Sequence, residues 1–128
     1  MPVHVVDGLE MVVERGPNWL FVKLRPNKNS RAEVPQIAEK LWSIASRHFI
    51  YRLVLELDEL ADLPPGMIGQ LVMLQQRLRQ CGGALRICGL SSECEESLHG
   101  FALSRALQNH ASRTEAVMGS GEFAAVPR

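Results

Sequence analysis

Two apolar runs near the start of the chain predict a β-hairpin. Residues 9–15 and 19–24 are rich in Val, Leu and aromatic side chains, and Gly16-Pro17-Asn18 between them is a turn signal. Residues 52–57 predict a third strand that is nearly continuous in apolar side chains, as strands buried in a parallel sheet are. Two further strands are predicted, at residues 84–88 and, at the edge of the sheet, at residues 107–110.

Helical spacing of apolar residues separates the later strands. A first helix is predicted from about Ala32 to His48, because apolar side chains recur there every three or four residues. Ser30 is its expected N-cap, with Glu33 as the partner in a capping box. A second helix is predicted from Pro65 or Gly66 to Cys81, and the pair Gly82-Gly83 ends it because glycine adopts the left-handed conformation at low cost.

The order of the elements predicts the fold class. Two shorter helices follow, one capped by Ser91 or Ser92 and ending near His99, the other at residues 114–118. The order β-β-α-β-α-β-α indicates an α/β domain with a central mixed sheet of four to five strands, flanked by helices. We expect an N-terminal arm at residues 1–8, one domain at residues 9–118 and a flexible C-terminal tail at residues 119–128.

Charge and composition exclude several classes of function. The 128 residues include 14 basic and 14 acidic side chains, and this balance argues against nucleic acid as a partner, since phosphate binding needs a basic surface. No apolar run approaches the ~20 residues that span a bilayer, so we expect no membrane insertion. The first residues lack the basic segment of a signal peptide. The three cysteines, Cys81, Cys88 and Cys94, are odd in number, which favours free thiols and a cytoplasmic location.

The reactive side chains form no recognisable catalytic or metal-binding pattern. Cys88 and Cys94 belong to no Cys-x-x-Cys pair, and the four histidines follow no nucleophile or carboxylate at a catalytic spacing. Gly66 and Gly69 lack the GxGxxG spacing and the P-loop Lys of nucleotide-binding loops, and Pro65 offers no backbone N–H to an anion. We therefore expect no catalytic residues, no metal and no cofactor.

The junction Leu63–Gly69 joins the third strand to the second helix. In parallel α/β sheets, ligands and partners usually bind at such a junction. This one contains no Ser, Thr, His, Cys, Lys or Arg, so it has the position of a functional site without the usual chemistry. An acidic cluster precedes it, formed by Glu56, Asp58, Glu59 and Asp62. Two interpretations stay open: an acidic rim around the start of the helix, or solvated carboxylates of a loop.

The chain from about Leu9 to Met118 resembles the STAS domain, the family of bacterial anti-sigma factor antagonists. Residues 53–63 resemble the family's strand and loop with the pattern of three hydrophobic residues followed by Asp-Leu-Ser, and Glu56 stands where that Asp is usual. Eight residues later comes the position of the family's Asp-Ser-Ser-Gly-Leu-Gly signature. The matching helix and its terminal pair of glycines follow with no insertion or deletion between Glu56 and Gly83. The strand and turn at residues 84–91 resemble the next elements of the family, and Phe101-Ala102-Leu103 is similar to the segment before the last strand.

The sequence departs from the family at the signature itself. In the family, the second Ser of the signature is commonly phosphorylated by a partner kinase, and Gly66 stands at that position without a hydroxyl. The other positions carry Pro64 for the Asp, Pro65 for the first Ser and Met67 for the Gly, whereas Ile68 and Gly69 retain the end of the pattern. The resemblance therefore implies a module that is not phosphorylated at the usual site.

The resemblance implies a non-enzymatic protein-interaction module. Its partner would be an anti-sigma factor with a serine-kinase-like ATPase fold or another signalling protein, and the module would be a monomer or a weak homodimer. The expected contact residues are Asp58, Glu59, Asp62, Leu63, Pro64, Pro65, Gly66, Met67 and Gly69. Among them, Met67 is expected to offer an adaptable apolar contact, and the two prolines to restrict the loop before binding. Ile68 is expected to point into the core.

Two alternatives remain open from the sequence. The first is a small-molecule or nucleotide-binding protein with a STAS-like fold. The second is a STAS subunit of a transport or stress-signalling assembly.

Overall fold

A six-stranded mixed sheet organises the residues that the computed structural model describes, which are 3–6, 9–26, 36–60, 65–92 and 109–118. Its strands are β1 (Val3–Val6), β2 (Leu9–Arg15), β3 (Leu20–Pro26), β4 (Arg52–Glu56), β5 (Ala84–Cys88) and β6 (Asn109–His110). The helices are α1 (Ile37–His48), α2 (Pro65–Gln80) and α3 (Arg113–Met118).

The strands lie side by side in sequence order. The pairs β1–β2 and β2–β3 are antiparallel, and β3–β4, β4–β5 and β5–β6 are parallel. The α/β class, the order of elements and the mixed sheet predicted from the sequence are confirmed. The sheet is wider than predicted, because Val3–Val6, which we expected in an N-terminal arm, pairs with β2. That run is four residues long, too short for a clear periodic signal.

The first helix is shorter than predicted. It begins at Ile37 with Gln36 at the N-cap, and no side chain caps it from that position. The backbone of Gln36 has φ −84° and ψ 63°, outside helical geometry, so the helix does not extend before Ile37. The predicted cap at Ser30 and its partner Glu33 lie outside the described residues, as do nearly all of the helix expected from Ser91 or Ser92 to His99, residues 101–103 and the tail at 119–128.

One face of the sheet holds the main core against α1 and α2. Alternate residues of β2 to β5 point to this face, and both helices contribute apolar side chains at helical spacing. The largest residues with less than 2% of their surface exposed are Met11, Leu20, Leu24, Ile37, Leu41, Ile44, Leu53, Leu55, Leu57, Ile68, Leu71 and Leu74. Replacing one of these leucines by alanine is expected to cost about 2–5 kcal/mol.

The other face of the sheet carries the short helix α3. Val54 and Cys88 are buried there against Ala116, with Trp19 and Phe21 packed around them. The Arg86 guanidinium donates to the carbonyl oxygens of Ala116 and Val117 at 2.6 and 3.2 Å, which fixes the end of α3 to β5. The predicted helix at residues 114–118 and the predicted edge strand are therefore confirmed in the described part of each.

Candidate partner-binding site

The expected contact residues lie where the parallel strands β3, β4 and β5 end and α2 begins. We call this region the carboxyl end of the sheet. After β4, Leu57 is buried and donates its backbone N–H to the Cys88 carbonyl oxygen at 2.9 Å, so the chain still follows β5 for one residue. Asp58 and Glu59 then form a turn that leads toward the start of α2.

Four of the expected contact residues are exposed at this end. The side chains of Asp58 and Glu59 are 48% and 39% exposed, and Gly66 and Gly69 lie on the solvent side of the first turns of α2. A Cβ atom built on Gly69 would meet nothing within 4 Å, so the helix backbone is open to a partner there. Pro65 is the first residue of α2. Asp62, Leu63 and Pro64 lie outside the described residues.

The expectation for Met67 is wrong. Its side chain is 3% exposed and belongs to the main core. The helical period explains this position, because Met67 shares the inward face of α2 with Leu71, Leu74 and Leu78. The expected inward orientation of Ile68 is confirmed. Met67 thus packs between the start of α2 and the main core, and its side chain is not available to a partner.

Two members of the acidic cluster, Asp58 and Glu59, are paired with cations of β3. Lys23 Nζ lies 3.4 Å from Asp58 Oδ2 and 3.9 Å from Glu59 Oε2, and Arg25 Nε lies 3.4 Å from Glu59 Oε2. Charge-assisted hydrogen bonds are usually near ~2.8 Å, so these exposed pairs are loose and contribute little to stability. Both carboxylates therefore remain accessible to an incoming basic group.

Gly89 fixes the position of this acidic turn. Its φ is +81°, and a Cβ atom there would lie 2.9 Å from the Asp58 Cβ. Its N–H donates to the His110 carbonyl oxygen at 3.0 Å. Because the backbone passes so close to Asp58, a side chain at position 89 would displace the turn.

Glu56 lies apart from the rest of the cluster, on the face of the sheet that carries α3. Arg113 Nη2 lies 2.6 Å from Glu56 Oε2, and Arg113 Nη1 lies 3.1 Å from Glu14 Oε1. Burial disfavours the charged form of Arg113, but the hydrogen bond and charge of Glu56, followed by those of Glu14, outweigh it and raise the pKa. The guanidinium also lies 4.4 Å from the Phe21 ring centroid. Glu56 therefore anchors α3.

An open groove lies beside this ion pair. It has a volume of about 310 Å³ and is lined by Val12, Glu14, Lys23, Arg25, Glu56 and Arg113. Its charged groups are paired with one another or with Asp58 and Glu59. A ligand would have to break these pairs, so the groove does not favour a small-molecule function.

The first turns of α2 are tied to α1. Gln70 Oε1 accepts a hydrogen bond from the Ala38 N–H at 3.0 Å, which satisfies an N-terminal donor that Gln36 leaves without a side-chain cap. Gln70 directly follows Gly69, so this bond holds the exposed turn of α2 in a defined orientation.

The exposed face of α2 includes one apolar residue that we did not predict as a contact. Met73 is 59% exposed and lies four and seven residues after Gly69 and Gly66, on the same side of the helix. Helical spacing from Gly66 identifies position 73 as part of this face. A large exposed thioether suits contact with another protein, because methionine adapts to irregular surfaces.

Cys88, at the end of β5, is a structural residue. Burial, with Glu56 and Asp58 adding to it, raises the pKa of its thiol to about 11. Nucleophilic cysteines need the opposite shift, so this thiol is unsuited to catalysis at neutral pH. Both Cys81, which is exposed, and Cys88 are free.

The fold is shared with solved structures, whereas comparisons of sequence give no match. No protein-family model matches the chain, and no curated protein does. The structure of RsbS from Moorella thermoacetica, in a variant with one serine replaced by glutamate, has a TM-score of 0.70 at 12% identity and covers 89% of this chain and 97% of its own. The chain has a STAS-like fold.

Two further structures agree with this assignment of the STAS-like fold. TM1081 of Thermotoga maritima, a candidate anti-sigma factor antagonist, has in its NMR structure a TM-score of 0.67 at 14% identity, covering 91% of this chain and 87% of its own. A chain from the stressosome, described as a signal integration and transduction hub, has a TM-score of 0.65 at 11% identity, covering 90% of this chain and 100% of its own.

Within the described ranges, no helix combines the length and the hydropathy that a membrane crossing requires.

Proposed function

We propose that this STAS-like chain is a non-enzymatic interaction module that binds an anti-sigma factor or a related signalling protein. The partner contacts the carboxyl end through Asp58, Glu59, Gly66, Gly69 and Met73. The same proposed surface includes Asp62, Leu63 and Pro64, which connect Glu59 to α2 in the sequence, and Pro65, the first residue of α2. The fold neighbours RsbS, TM1081 and the stressosome support a signalling role.

The observation that carries this proposal is an exposed first turn of α2 without a hydroxyl group. Gly66 and Gly69 leave the backbone open, and Met73 adds an apolar contact on the same face. The acidic side chains of Asp58 and Glu59 lie at the adjoining turn and provide polar contacts around it. An open backbone, one apolar side chain and a polar rim are typical of a protein contact.

The same surface suggests how this chain differs from phosphorylated STAS domains. A phosphate at the signature position adds about two negative charges and disturbs the partner interface. Gly66 has no oxygen to accept a phosphoryl group. We therefore propose that binding is constitutive with respect to phosphorylation at this position. The free thiols of Cys81 and Cys88 support a reducing compartment, and we place the module in the cytoplasm.

Gly66→Asp tests this function. The substitution adds a negative charge beside the acidic turn, and we expect at least tenfold weaker binding to the anti-sigma factor, or about 1.4 kcal/mol. The fold should be retained, because an acidic side chain in the first turn of a helix is favourable and glycine is a poor helix former. The measurement is the dissociation constant by calorimetry, with thermal unfolding as the test of folding.

Two control variants separate charge from size and position. Gly66→Asn adds a side chain of the same size without charge, so it should weaken binding less than Gly66→Asp does. Gln80→Glu adds the same charge at the far, exposed end of α2 and should leave binding unchanged. Equal affinities for the wild type and a folded Gly66→Asp variant would remove this surface from the proposal.

A further inference from the structure

The end of the sheet opposite the carboxyl end is basic. It is formed by residues 15–20, 46–53 and 79–84, which include the ends of α1 and α2. The strand register brings these segments together, because Arg15 is opposite Leu20, Leu20 is opposite Leu53, and Arg52 is opposite Ala84. We call it the basic end. These segments contain Arg15, Arg47, His48, Arg52 and Arg79 and no Asp or Glu.

The arginines of the basic end are available for intermolecular contacts. The ion pairs of the described residues involve Lys23, Arg25, Arg77 and Arg113, and none includes an arginine of the basic end. Arg15, Arg47, Arg52 and Arg79 are exposed. Arg47 and Arg79 lie in the last turns of α1 and α2, where they complement the helix dipoles. Arg15 and Arg52 have no such role, although the Arg52 guanidinium carbon lies 5.9 Å from the Trp19 ring centroid.

Phe49 projects from the basic end at a conformational cost. Its side chain is 84% exposed, the largest exposure of any described large hydrophobic residue. Its φ is +58°, and its N–H donates to the Ser46 carbonyl oxygen at 3.2 Å as it ends α1. Glycine is the usual residue at this position, because a left-handed conformation strains a bulky side chain. A strained and exposed aromatic ring amid arginines points to a contact with another molecule.

The carboxyl end of the same protein complements this surface in charge. Among the described residues there and on the adjoining α3 face, six carboxylates (Glu10, Glu14, Glu56, Asp58, Glu59 and Glu115) outnumber four cations (Lys23, Arg25, Arg86 and Arg113). The pairs of Asp58 and Glu59 are loose, at 3.4–3.9 Å, so arginines of another molecule can share these carboxylates. Met73, about two helical turns along α2 from this end, supplies the exposed apolar side chain that an aromatic ring needs.

We propose that the basic end of one copy docks head to tail on the carboxyl end of a second copy. Phe49 packs against the exposed face of α2 at Met73, and Arg47 and Arg52 face Asp58 and Glu59. Such a contact joins two different surfaces, so it leaves one free end of each kind and can add further copies. The contact does not depend on the proposed function, but it covers the same surface, so a bound partner and a second copy exclude each other.

Sedimentation equilibrium of the full chain tests the contact without any partner. The weight-average mass should rise as the protein concentration approaches about 1 mM, the range of weak association. The rise should be clear in about 0.01 M salt and largely lost in about 1 M salt, because the Debye length falls from ~30 to ~3 Å. A monomer at every concentration in low salt would overturn the proposal.

Phe49→Gly separates association from folding. Glycine suits the left-handed backbone, so this variant should unfold at a higher temperature than the wild type. It lacks the ring, so its association should be at least tenfold weaker. Phe49→Tyr keeps a ring and the same backbone demand, and should associate as the wild type does. Undiminished association of Phe49→Gly would contradict the docking geometry.

Mixing two variants decides between a head-to-tail and a two-fold symmetric contact. Phe49→Gly removes the aromatic contact of the basic end. Met73→Arg, at an exposed helical position, removes the apolar contact with which the proposed docking surface at the carboxyl end receives that ring. Each variant alone should be monomeric, and the mixture should form a 1:1 dimer and nothing larger, since each copy has one intact end. A dimer formed by either variant alone, or a mixture that stays monomeric, would exclude head-to-tail docking.

Discussion

The two adjacent glycines after α2 should respond very differently to alanine. Gly82 has a φ of +79°, and a Cβ atom there would meet nothing within 4 Å. Gly83 has an ordinary φ, but its Cβ atom would lie 1.9 Å from the Tyr51 carbonyl oxygen and 2.7 Å from its carbonyl carbon. Gly82→Ala therefore introduces conformational strain alone, whereas Gly83→Ala introduces a steric clash with the backbone.

The expected costs follow from these two situations. A left-handed conformation costs an alanine about 1–2 kcal/mol. Relief of the clash at position 83 has to move the start of β5 away from β4, which breaks the hydrogen bond from the Ala84 N–H to the Tyr51 oxygen at 3.0 Å. Overpacking and an unsatisfied backbone group together cost about 2–6 kcal/mol. Gly83→Ala should therefore lose more stability than Gly82→Ala, by about 2.5 kcal/mol between the centres of the two ranges.

Urea denaturation followed by tryptophan fluorescence measures both variants. Trp42 is a suitable reporter, because its ring centroid lies 5.4 Å from that of Tyr51. With a denaturant slope of about 1–3 kcal/mol per molar, the midpoint should fall by about 0.3–2 M for Gly82→Ala and by a larger amount for Gly83→Ala. If Gly83→Ala were no more destabilising than Gly82→Ala, the close packing of the α2 end on β4 would be refuted.

The other stability predictions concern Arg113 and Cys88. Arg113→Met leaves Glu56, whose side chain is 12% exposed, without its cation, and should lower the free energy of unfolding by about 1–2 kcal/mol. The loss is smaller than for a fully buried pair because the Arg113 side chain is 37% exposed. Adding Glu56→Gln should restore part of the loss in the same urea assay, and no recovery would argue against the ion pair. The pKa of the Cys88 thiol is raised to about 11 in the folded protein, so its contribution is fully present below the unfolded pKa of about 9 and is lost as the pH rises through 11. Relative to Cys88→Ala, the wild type should lose about 2–3 kcal/mol over that interval, and parallel stability profiles of the two proteins would contradict the shift.

Most of the fold could be predicted from the sequence because hydrophobic period and turn residues agree along the chain. The continuous apolar run at β4, the helical spacing of α2 and the Gly82-Gly83 pair each specify one structure. β1 was missed because four residues carry no reliable period, and its pairing with β2 is decided by tertiary contact. The capping box at Ser30 predicts an earlier start of α1 than the structure has, because Gln36 leaves helical geometry with a ψ of 63°.

Less of the candidate site could be predicted, because it depends on which side of an element a residue faces. Met67 was expected at the surface from its place in a family signature, whereas the helical period of α2 places it in the core beside Ile68. The cations opposite Asp58 and Glu59 come from β3, more than 30 residues earlier in the chain. No local pattern reveals such a pairing, because it follows from the register of β3 with β4.

The hydrogen-bonded ion pair between Arg113 and Glu14 has a consequence for synthesis of the protein on the ribosome. The two residues are 99 positions apart, and at the usual elongation rates about 5–20 s pass between their appearance. For the part of that time after β4 has been made, the face of the sheet around Phe21 and Val54 lacks its contact with α3. A nascent chain stalled before residue 113 would therefore present this apolar face to chaperones, and completion of the last helix would withdraw it.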